Sequence, residues 1–505
     1  MKFNVFKRKE KELINYQGAK AYALNAEMEL YAAVVTSGLN DNFYEKGDKR
    51  LVRIRELILK NDPEFVAKLA VYTRTHMHMR SVPLVLAVEL AAKHSGTPLV
   101  SQTVKGVVKR ADEITELLAY YQLANKRTKT KKLNGLSKQV QKGLSTAFNT
   151  FDEYQFAKYN RATEVKLRDA LFLVHPKAKS EAQQVVFNKI AANELAVPYT
   201  WETELSALGQ QRFAHANEKV AAFKAKWEEL IDSGKLGYMA LMRNLRNIIE
   251  AEVSAMHIRK VCALLADEKA VLNAKQLPFR FLAAWREIKA IKHGYATMVM
   301  NALEDAVMIS VKNMKGFDVS TRVLIACDVS GSMQHNVSAK SKIMYYDIGL
   351  MLGMLLQSKC QYVVTGMFGD TWKVINMPGR SVLANVNEYY KREGEVGYST
   401  NGYLVIEDLI KRNVVMDKVM LFTDCQLWNS KGFVNSFEKS WKAYKNIAPN
   451  AKLYLFDLAG HGNAPIRTER NDVFLLAGWS DKVFDVLQAI ENGANAIEKI
   501  KQEVL

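Results

Sequence analysis

The sequence predicts two architectures in succession, a long all-helical region and then a doubly wound α/β domain. Between about residue 15 and about residue 313, apolar residues recur at three- and four-residue spacing, which is typical of amphipathic helices. From Arg322 onward, short β-branched runs alternate with helical patterns, which favours a mostly parallel sheet covered on both faces. A chain of 505 residues is also too long for one hydrophobic core, so two or three domains are expected.

The helical region is expected to form stacked antiparallel pairs. Helical patterns at 25–36, 51–59, 63–74 and 83–93 are joined by short polar turns. Asp62-Pro63 is a good helix start, because aspartate caps the first turn and proline fits the first helical position. Repeated helices with short connections indicate α-solenoid organisation, although the sequence has no clean repeat period.

The formal net charge of +18 makes a polyanion the first candidate partner. No acidic residue occurs between Glu116 and Asp152. Lysine on its flexible stem binds phosphate as a point charge, so the basic residues of this stretch are candidate RNA ligands, with a basic linker as the alternative. They are Lys126, Arg127, Lys129, Lys131, Lys132, Lys138 and Lys142.

Three further residues of the helical region are candidates for RNA contacts. His175 stands before Pro176 at a predicted helix end, where a histidine binds a phosphate or a base edge, or simply caps the helix. Arg243 and Arg246 lie three residues apart and are predicted to share one helical face. That face lines an inner RNA-binding surface or is an exposed stripe, and the sequence leaves both interpretations open.

The α/β region carries the residues of a candidate metal site. Asp328, Ser330 and Ser332 follow a buried strand, where open α/β sheets bind their ligands. Their hard oxygens suit Mg²⁺, Ca²⁺ or Mn²⁺, while a turn capped by serines is the alternative. A polar loop with Thr400 and a strand ending at Asp424 come later. The predicted strands are 323–328, 362–368, 372–377, 418–424, 452–457 and 472–476, and the predicted helices are 340–357, 381–392, 402–411, 433–446 and 481–492.

Several blocks of the sequence resemble the TROVE domain of the Ro 60 kDa autoantigen family, including its bacterial members. The most specific are Lys158-Tyr159-Asn160, Leu167-Arg168-Asp169 and His175-Pro176-Lys177. Further blocks agree in the same linear order at 79–84, 241–245 and 277–281. The family also ends in a von Willebrand A-like domain, so the resemblance covers nearly the whole chain.

The resemblance implies a ring of HEAT-like helical repeats at 1–315, an A-like domain at 316–492 and a tail at 493–505. Family members bind small non-coding Y RNAs on a basic outer surface, and single-stranded 3′ ends of misfolded or immature RNAs in a central hole. Lys158 and His175 match family positions that contact the Y RNA. A further basic residue is expected where Ala162 stands, and the adjacent Arg161 is the candidate substitute.

The resemblance also assigns roles at the metal site of the A-like domain, the metal-ion-dependent adhesion site. It implies that the hydroxyls of Ser330, Ser332 and Thr400 bind a divalent cation directly. Asp328 and Asp424 would hold its water ligands. Mg²⁺ is the expected ion, with Ca²⁺ or Mn²⁺ as alternatives, and an open coordination position would accept the carboxylate of a protein partner such as an exoribonuclease.

Together these observations predict a non-catalytic, Ro-type RNA-binding protein that acts with exonucleases in RNA quality control. The alternative is a metal-dependent protein-interaction scaffold whose basic surface is incidental. An enzyme is disfavoured because the sequence has no Walker, Ser-His or paired-carboxylate constellation. A charged N-terminus, four cysteines without paired spacing and no long apolar run favour a cytoplasmic monomer with reduced thiols and no membrane contact.

Overall fold

A computed structural model of the chain gives its fold. It describes residues 12–15, 20–37, 47–125, 135–160, 163–274, 276, 278–313, 317–337, 341–376, 378, 381–427, 436–468, 472–477 and 496–505. The chain forms two compact units. One comprises Met1–Leu57 and Val261–Ile497, and the other comprises Ile58–Lys260 and Glu498–Leu505. The predicted helix at 481–492 lies outside the described residues.

Helices make up most of the described chain before residue 313, as the apolar spacing predicts. They are α1 (Ala26–Val35), α2 (Gly47–Leu59), α3 (Pro63–Thr75), α4 (Ser81–Lys93), α5 (Leu99–Val107), α6 (Ala111–Ala124), α7 (Lys138–Phe148), α8 (Glu153–Tyr159), α9 (Leu167–Val174), α10 (Glu181–Ala192), α11 (Trp201–Gly209), α12 (Ala216–Asp232), α13 (Tyr238–Arg243), α14 (Leu245–Glu250), α15 (Ala255–Leu265), α16 (Glu268–Ala274), α17 (Pro278–Lys289) and α18 (Ala296–Ser310). The α/β part adds α19 (Tyr345–Lys359), α20 (Val382–Lys391), α21 (Tyr403–Lys411) and α22 (Ser436–Tyr444), and α23 (Ala496–Lys501) follows near the C-terminus.

The helical unit is built from helices that pack on their next and next-but-one neighbours. Helix α3 packs against α4 and α5, α4 packs against α6, and α5 packs against α7. Asp62 starts α3 as expected, because its side chain accepts a hydrogen bond from the Glu64 N–H at 2.8 Å. Repeated packing of this kind buries one continuous apolar core along the stack, as in helical-repeat proteins.

The other unit contains a six-stranded sheet. Its strands are β3 (Arg322–Asp328), β4 (Tyr362–Phe368), β5 (Trp372–Val374), β6 (Lys418–Thr423), β7 (Lys452–Asp457) and β9 (Val473–Ala477), in the order β5-β4-β3-β6-β7-β9. All neighbouring pairs are parallel except β4 and β5, which are antiparallel. The chain continues from β3 to β4 on one side and returns to β6 on the other. The carboxyl ends of β3 and β6 therefore meet at the topological switch point, where such sheets bind ligands.

Helices cover both faces of this sheet. Successive residues of a strand point to opposite faces, and Leu421 and Phe422 of β6 show what each face meets. A Cβ atom at Gly349 of α19 would lie 2.6 Å from the Phe422 Cβ, and one at Gly402, just before α21, would lie 3.5 Å from a Leu421 methyl. Helix α19 therefore covers one face closely, and the start of α21 covers the other. This is the predicted doubly wound arrangement.

Two short strands near the N-terminus were not predicted, because the region from residue 15 was expected to be almost entirely helical. Strands β1 (Glu12–Ile14) and β2 (Lys20–Ala23) pair antiparallel, and β2 also pairs with β8 (Asn463–Ala464). Strands this short contain too few residues to show an alternating pattern. Strand β2 pairs with residues that are remote in sequence, so no local signal marks it.

The four cysteines were expected to be reduced thiols. All four are unpaired, and three of them are buried. Among the described helices, none is both long enough and apolar enough to cross a bilayer. The sheet begins at Arg322, near the predicted start of the A-like domain at residue 316, but its compact unit also includes α16, α17 and α18.

We expect the Arg286→Met substitution to destabilise the sheet-containing unit by about 3 kcal/mol, because it leaves the buried Asp347 carboxylate unpaired. Arg286 binds that carboxylate with both guanidinium nitrogens, each at 2.7 Å, and the Asp347 side chain is fully buried. Denaturant unfolding measures the effect. Arg322→Met is the matched control, because its partner Asp417 is 42% exposed. The loss of unfolding free energy in this variant should stay below about 1 kcal/mol. Equal losses in the two variants would contradict this assignment.

Candidate functional site

The first component of the candidate metal site is the loop that leaves β3. The Ser330 N–H donates to Asp328 Oδ1 at 2.9 Å, and the hydroxyls of Ser330 and Ser332 are 3.1 Å apart. Thr423, the last residue of β6, donates its hydroxyl to Asp328 Oδ2 at 2.7 Å. Asp328 therefore orients its own loop and also links the two strands that meet at the switch point.

The second component joins Thr400 to Asp424 through Gln426. The Gln426 N–H donates to Asp424 Oδ1 at 3.0 Å, and the Thr400 hydroxyl donates to the Gln426 carbonyl at 2.9 Å. Donation of its proton leaves the lone pairs of the Thr400 oxygen available for a cation. The structure thus brings the five predicted residues to one edge of the sheet.

The turn between β4 and β5 fixes the loop that carries Thr400. The Ser399 N–H donates to Asp370 Oδ1 at 3.1 Å, and the Asn401 N–H donates to the Gly369 carbonyl at 3.1 Å. A Cβ atom at Gly369 would collide with the Gly397 carbonyl oxygen, so only glycine allows this close approach of the two backbones. The hydroxyl of Thr400 is therefore positioned by contacts outside its own loop.

The charges and orphaned atoms of the site fit a divalent cation. Among the residues that the structure describes, none is a hydrogen-bond partner of the buried Asp424 Oδ2. Burial, and then the negative charge of Asp424, raises the pKa of Asp328 to about 7, and burial also raises the pKa of Asp424. Within the described residues, neither Asp328 nor Asp424 has a salt bridge to a basic side chain, and a bound cation would supply the positive counter-charge.

The donor set also discriminates between ions. Within the described residues, no cluster of three or more His, Cys, Asp or Glu side chains is arranged to hold a metal. The candidate site offers hydroxyl and carboxylate oxygens instead. Hard cations that keep water ligands, such as Mg²⁺, suit such a set, whereas Zn²⁺ prefers nitrogen and sulfur ligands.

All five residues of this site are nearly enclosed by protein. Ser332 is the most exposed of them at 6% of its surface, and Asp328 is fully buried. The N-terminal segment contributes to this cover, because the Asn15 side-chain amide donates to the Leu427 carbonyl at 2.8 Å. A carboxylate from another protein could reach an ion here only after part of this cover moved.

One acidic residue at this edge was not singled out from the sequence. Asp457 ends β7 as Asp424 follows β6, so the same strand-end pattern could have identified it. Its Oδ1 accepts hydrogen bonds from the N–H groups of Ala459 and Gly460, at 3.0 and 2.7 Å, while Oδ2 has no partner in the described part of the chain. Burial raises the pKa of Asp457 to about 6, and the charge of Asp424 contributes to this rise. Three successive parallel strands thus place buried carboxylates at one edge.

The candidate RNA-binding residues around His175 are held together by side chains of α7. His175 follows the end of α9 with a left-handed backbone, φ 47°, so it is the helix C-cap that the sequence allowed. Gln141 of α7 donates to the carbonyls of Leu173 and Val174, at 3.4 and 3.1 Å. Lys138 and Lys142 flank Gln141 in the sequence. They therefore lie on the turns of α7 that are bonded to the end of α9.

Lys158 lies at the end of α8, whose start is fixed by a capping box between Asp152 and Gln155. Its ammonium nitrogen is 5.6 Å from the centre of the Tyr154 ring and 5.8 Å from that of the Tyr159 ring. Helices α8 and α9 both pack on α6. Lys158 and His175 are both exposed, and within the described residues neither has a carboxylate partner.

The expectation that Arg243 and Arg246 share one helical face needs correction, because the helix is interrupted between them. Arg243 ends α13, and Arg246 is the second residue of α14. The intervening Asn244 bonds its side-chain amide to the Ala240 carbonyl at 2.9 Å, and asparagine competes with helical backbone bonding in this way. Both arginines are exposed, and Arg246 pairs with Glu250 at 2.8 Å.

Several predicted RNA-binding residues lie outside the described residues. They are Lys126, Arg127, Lys129, Lys131, Lys132 and Arg161.

A comparison with protein families identifies the helical region. The family model described as TROVE domain matches residues 17–200 and 193–296, which is more than half of the chain. The chain belongs to the TROVE domain family. This finding confirms the predicted resemblance, and TROVE membership supports an RNA-binding protein of the Ro type.

Two further comparisons agree with TROVE membership. The crystal structure of the Deinococcus radiodurans RO (RSR) protein matches with a TM-score of 0.62 and 17% identity, covering 93% of this chain and 100% of that one. This match confirms the predicted fold class, a helical-repeat domain followed by a von Willebrand A-like domain. Telomerase protein component 1 from Rattus norvegicus is 25% identical over 301 residues and that from Mus musculus is 24% identical over 309. These segments span 44% and 46% of this chain but only 11% of each relative.

The TROVE match covers one of the two candidate sites. Lys158, His175 and Arg243 lie within the matched residues, whereas the residues of the metal site all follow them in the chain. The helical candidates are therefore part of the TROVE domain, and the candidate metal site belongs to the A-like domain.

Proposed function

We propose that this TROVE protein binds structured small RNA of the Y type through a basic face on α7, α8 and α9. We define the basic face as Lys138, Lys142, Lys158, His175 and Lys177. The observation that carries the proposal is the attachment of α7, the helix of Lys138 and Lys142, to the end of α9 by Gln141, next to the exposed, left-handed His175. A second clamp acts next to it, because Asn149 donates to the Lys177 carbonyl at 2.9 Å.

A structured RNA suits this face because its ligands are spread over several rigid helices. Lysines on separate elements contact phosphates at fixed spacing, which a helical RNA stem provides and a flexible single strand does not. Histidine adds a hydrogen bond to a phosphate or to a base edge. A footprint of this kind orients RNA without cutting it, so the proposed role is non-catalytic.

We further propose that single-stranded 3′ ends of misfolded or immature RNAs bind at a separate surface, with Arg243 as a candidate ligand. In this role the protein would present RNA to an exoribonuclease during quality control and processing. Arg243 is the better candidate of the two arginines, since the charge of Arg246 is already paired with Glu250. The separation of the two RNA classes is the part of the proposal that substitutions test most directly.

For the A-like domain we propose a bound divalent cation, Mg²⁺ in the first instance, with a structural role. The ion would be held by Ser330, Ser332 and Thr400, and Asp328 and Asp424 would hold its water ligands. The orphaned Asp424 oxygen supports the ion, and the near-complete burial of the five residues favours an internal role over docking of a partner. The alternative function, a metal-dependent scaffold, requires an accessible ion and is therefore the less supported of the two.

The proposed function is tested by the salt dependence of RNA binding. We expect the affinity for a fluorescent stem-loop RNA to fall steeply between about 50 and about 200 mM KCl, with a log–log slope of roughly −3 to −5 for a face of five cationic or hydrogen-bonding groups. A filter-binding or anisotropy titration at constant Mg²⁺ measures the slope. A slope near zero, or no binding at the lower salt concentration, would contradict the proposal.

A further inference from the structure

A groove lies beside the basic face, next to Lys158. The proposed binding of a helical stem does not use it. It has a volume of about 730 Å³, within the range of small-molecule sites. Its lining residues are Glu153, Tyr154, Ala196, Val197, Pro198, Tyr199 and Lys235. They come from the first turn of α8, from the segment between α10 and α11, and from the turn after α12.

The walls of the groove are fixed by polar contacts. Glu153 accepts from the Lys189 ammonium at 2.7 Å and from the Ala196 N–H at 3.2 Å, which ties the segment after α10 to the start of α8. The Tyr199 hydroxyl donates to Glu229 at 3.0 Å. Both tyrosines are therefore held by elements whose positions are set without a ligand, which lowers the entropic cost of binding one.

The apolar part of the lining remains open to solvent. Tyr154 is 47% exposed, and Val197 is 84% exposed. Tyr199 offers a second ring, whose orientation its hydroxyl bond fixes. Aromatic faces with adjacent aliphatic surface provide a stacking platform for flat rings, and every nucleobase has a π-face that can stack on them.

The charges around the groove select an anionic occupant. The Lys158 ammonium is 5.6 Å from the centre of the Tyr154 ring, and the Lys235 ammonium is 4.9 Å from that of the Tyr199 ring. The carboxylates nearby are paired with other lysines, since Glu153 pairs with Lys189 at 2.7 Å and Glu229 shares Lys226 with Glu204, at 2.7 and 3.1 Å. Lysines at both rings therefore favour a base whose flanking phosphates are negatively charged, and they disfavour an apolar peptide.

We propose that this groove binds an unpaired nucleotide adjacent to the structured RNA, with its base stacked on Tyr154 or Tyr199 and its phosphates at Lys158 and Lys235. The inference rests on the proposed RNA-binding function, and it adds a site for single-stranded RNA. Lys158 links the two surfaces, because it belongs to the basic face and also borders the groove. An RNA with unpaired residues next to its stem therefore binds more tightly than the stem alone.

Two fluorescent probes test this inference with the full chain, a stem-loop RNA and the same stem-loop with a five-uridine single-stranded extension. For the wild type we expect the extension to raise the affinity about tenfold or more. The double variant Tyr154→Leu with Tyr199→Leu should lose this gain and still bind the plain stem-loop normally. Tyr154→Phe with Tyr199→Phe should keep most of the gain, because both rings remain and only the orientation fixed by the Tyr199 hydroxyl bond is lost.

The matched control is Tyr362→Leu, since Tyr362 is also 47% exposed but lies on β4. It should leave the gain unchanged. Cross-linking provides an independent readout: 4-thiouridine at the first unpaired position should attach to peptides containing Tyr154 or Tyr199. An equal gain in the wild type and the double leucine variant, or no gain in the wild type, would overturn the inference. The proposed function would stand in either case if Lys158→Ala still weakens binding of the plain stem-loop. Failure of the wild type to bind either probe would overturn both.

Discussion

The combined substitution Lys158→Ala with His175→Ser is expected to weaken binding of a stem-loop RNA about 100-fold. Each residue would contribute a hydrogen bond of about 1.5 kcal/mol if its RNA partner is a charged phosphate, and two such losses give about 3 kcal/mol. The log–log salt slope should also become shallower by about 1, because one cationic phosphate contact disappears. Both side chains are exposed, so the fold should tolerate the changes.

The same double variant should lose much less affinity for a single-stranded RNA with a free 3′ end than for the stem-loop. That RNA is proposed to bind chiefly at a separate surface, and only its contact with Lys158 at the groove is lost. Lys442→Ala is the matched control for the loss of one exposed lysine, since Lys442 lies on α22 of the A-like domain. It should leave both affinities nearly unchanged. Equal loss of both RNA classes in the double variant would reject the two-surface proposal.

Removal of the divalent cation is expected to cost the protein about 2.7 kcal/mol of unfolding free energy when Mg²⁺ is otherwise present at 100 times its dissociation constant. Asp424→Asn should abolish this dependence, because it removes one of the two carboxylates that attract the ion. In EDTA the variant should be at least as stable as the wild type, since a buried carboxylate without a counter-charge has been replaced by an amide. Denaturant unfolding with and without Mg²⁺, at matched ionic strength, measures both effects.

The sign of the pH dependence follows from the raised pKa values at this site. Without the ion, the folded-state pKa of Asp328 is about 7, well above the ordinary value of 3.8. Between these two values the folded state binds more protons than the unfolded state, so the stability of the ion-free protein falls as pH rises from about 4 to about 7. Stabilisation by Mg²⁺ should therefore be larger at pH 8 than at pH 6. An equal response to Mg²⁺ in wild type and Asp424→Asn would contradict the assignment of the site.

The parts of the fold that the sequence predicted are those with strong local patterns. Apolar spacing identified most of the helices, and β-branched runs identified the parallel strands. Asp328, Ser330 and Ser332 could be grouped because they share one loop after a strand. Thr400 and Asp424 were added through the family resemblance, and the structure places them beside that loop through Gln426.

The features that were missed depend on contacts between distant residues. Strand β2 pairs with β8, and neither strand is long enough to show its own periodicity. The interruption of the helix falls at Asn244, whose side chain bonds to the Ala240 carbonyl, and apolar spacing does not reveal it. The groove brings Tyr154, Tyr199 and Lys235 together from separate elements, so its aromatic lining has no sequence motif. Asp457 is different, because the strand-end pattern that marked Asp424 applies to it equally.

The central claim, binding of structured RNA through the basic face, is tested most directly by the RNA that accompanies the protein in its own cells. The wild type and the Lys158→Ala, His175→Ser variant would be purified at moderate salt and their bound RNA sequenced. We predict a small set of structured RNAs, together with fragments that have single-stranded 3′ tails, on the wild type. The variant should lose the structured set and keep the tailed fragments. Recovery of no RNA above background on the wild type, or of the same structured set on both proteins, would contradict the claim.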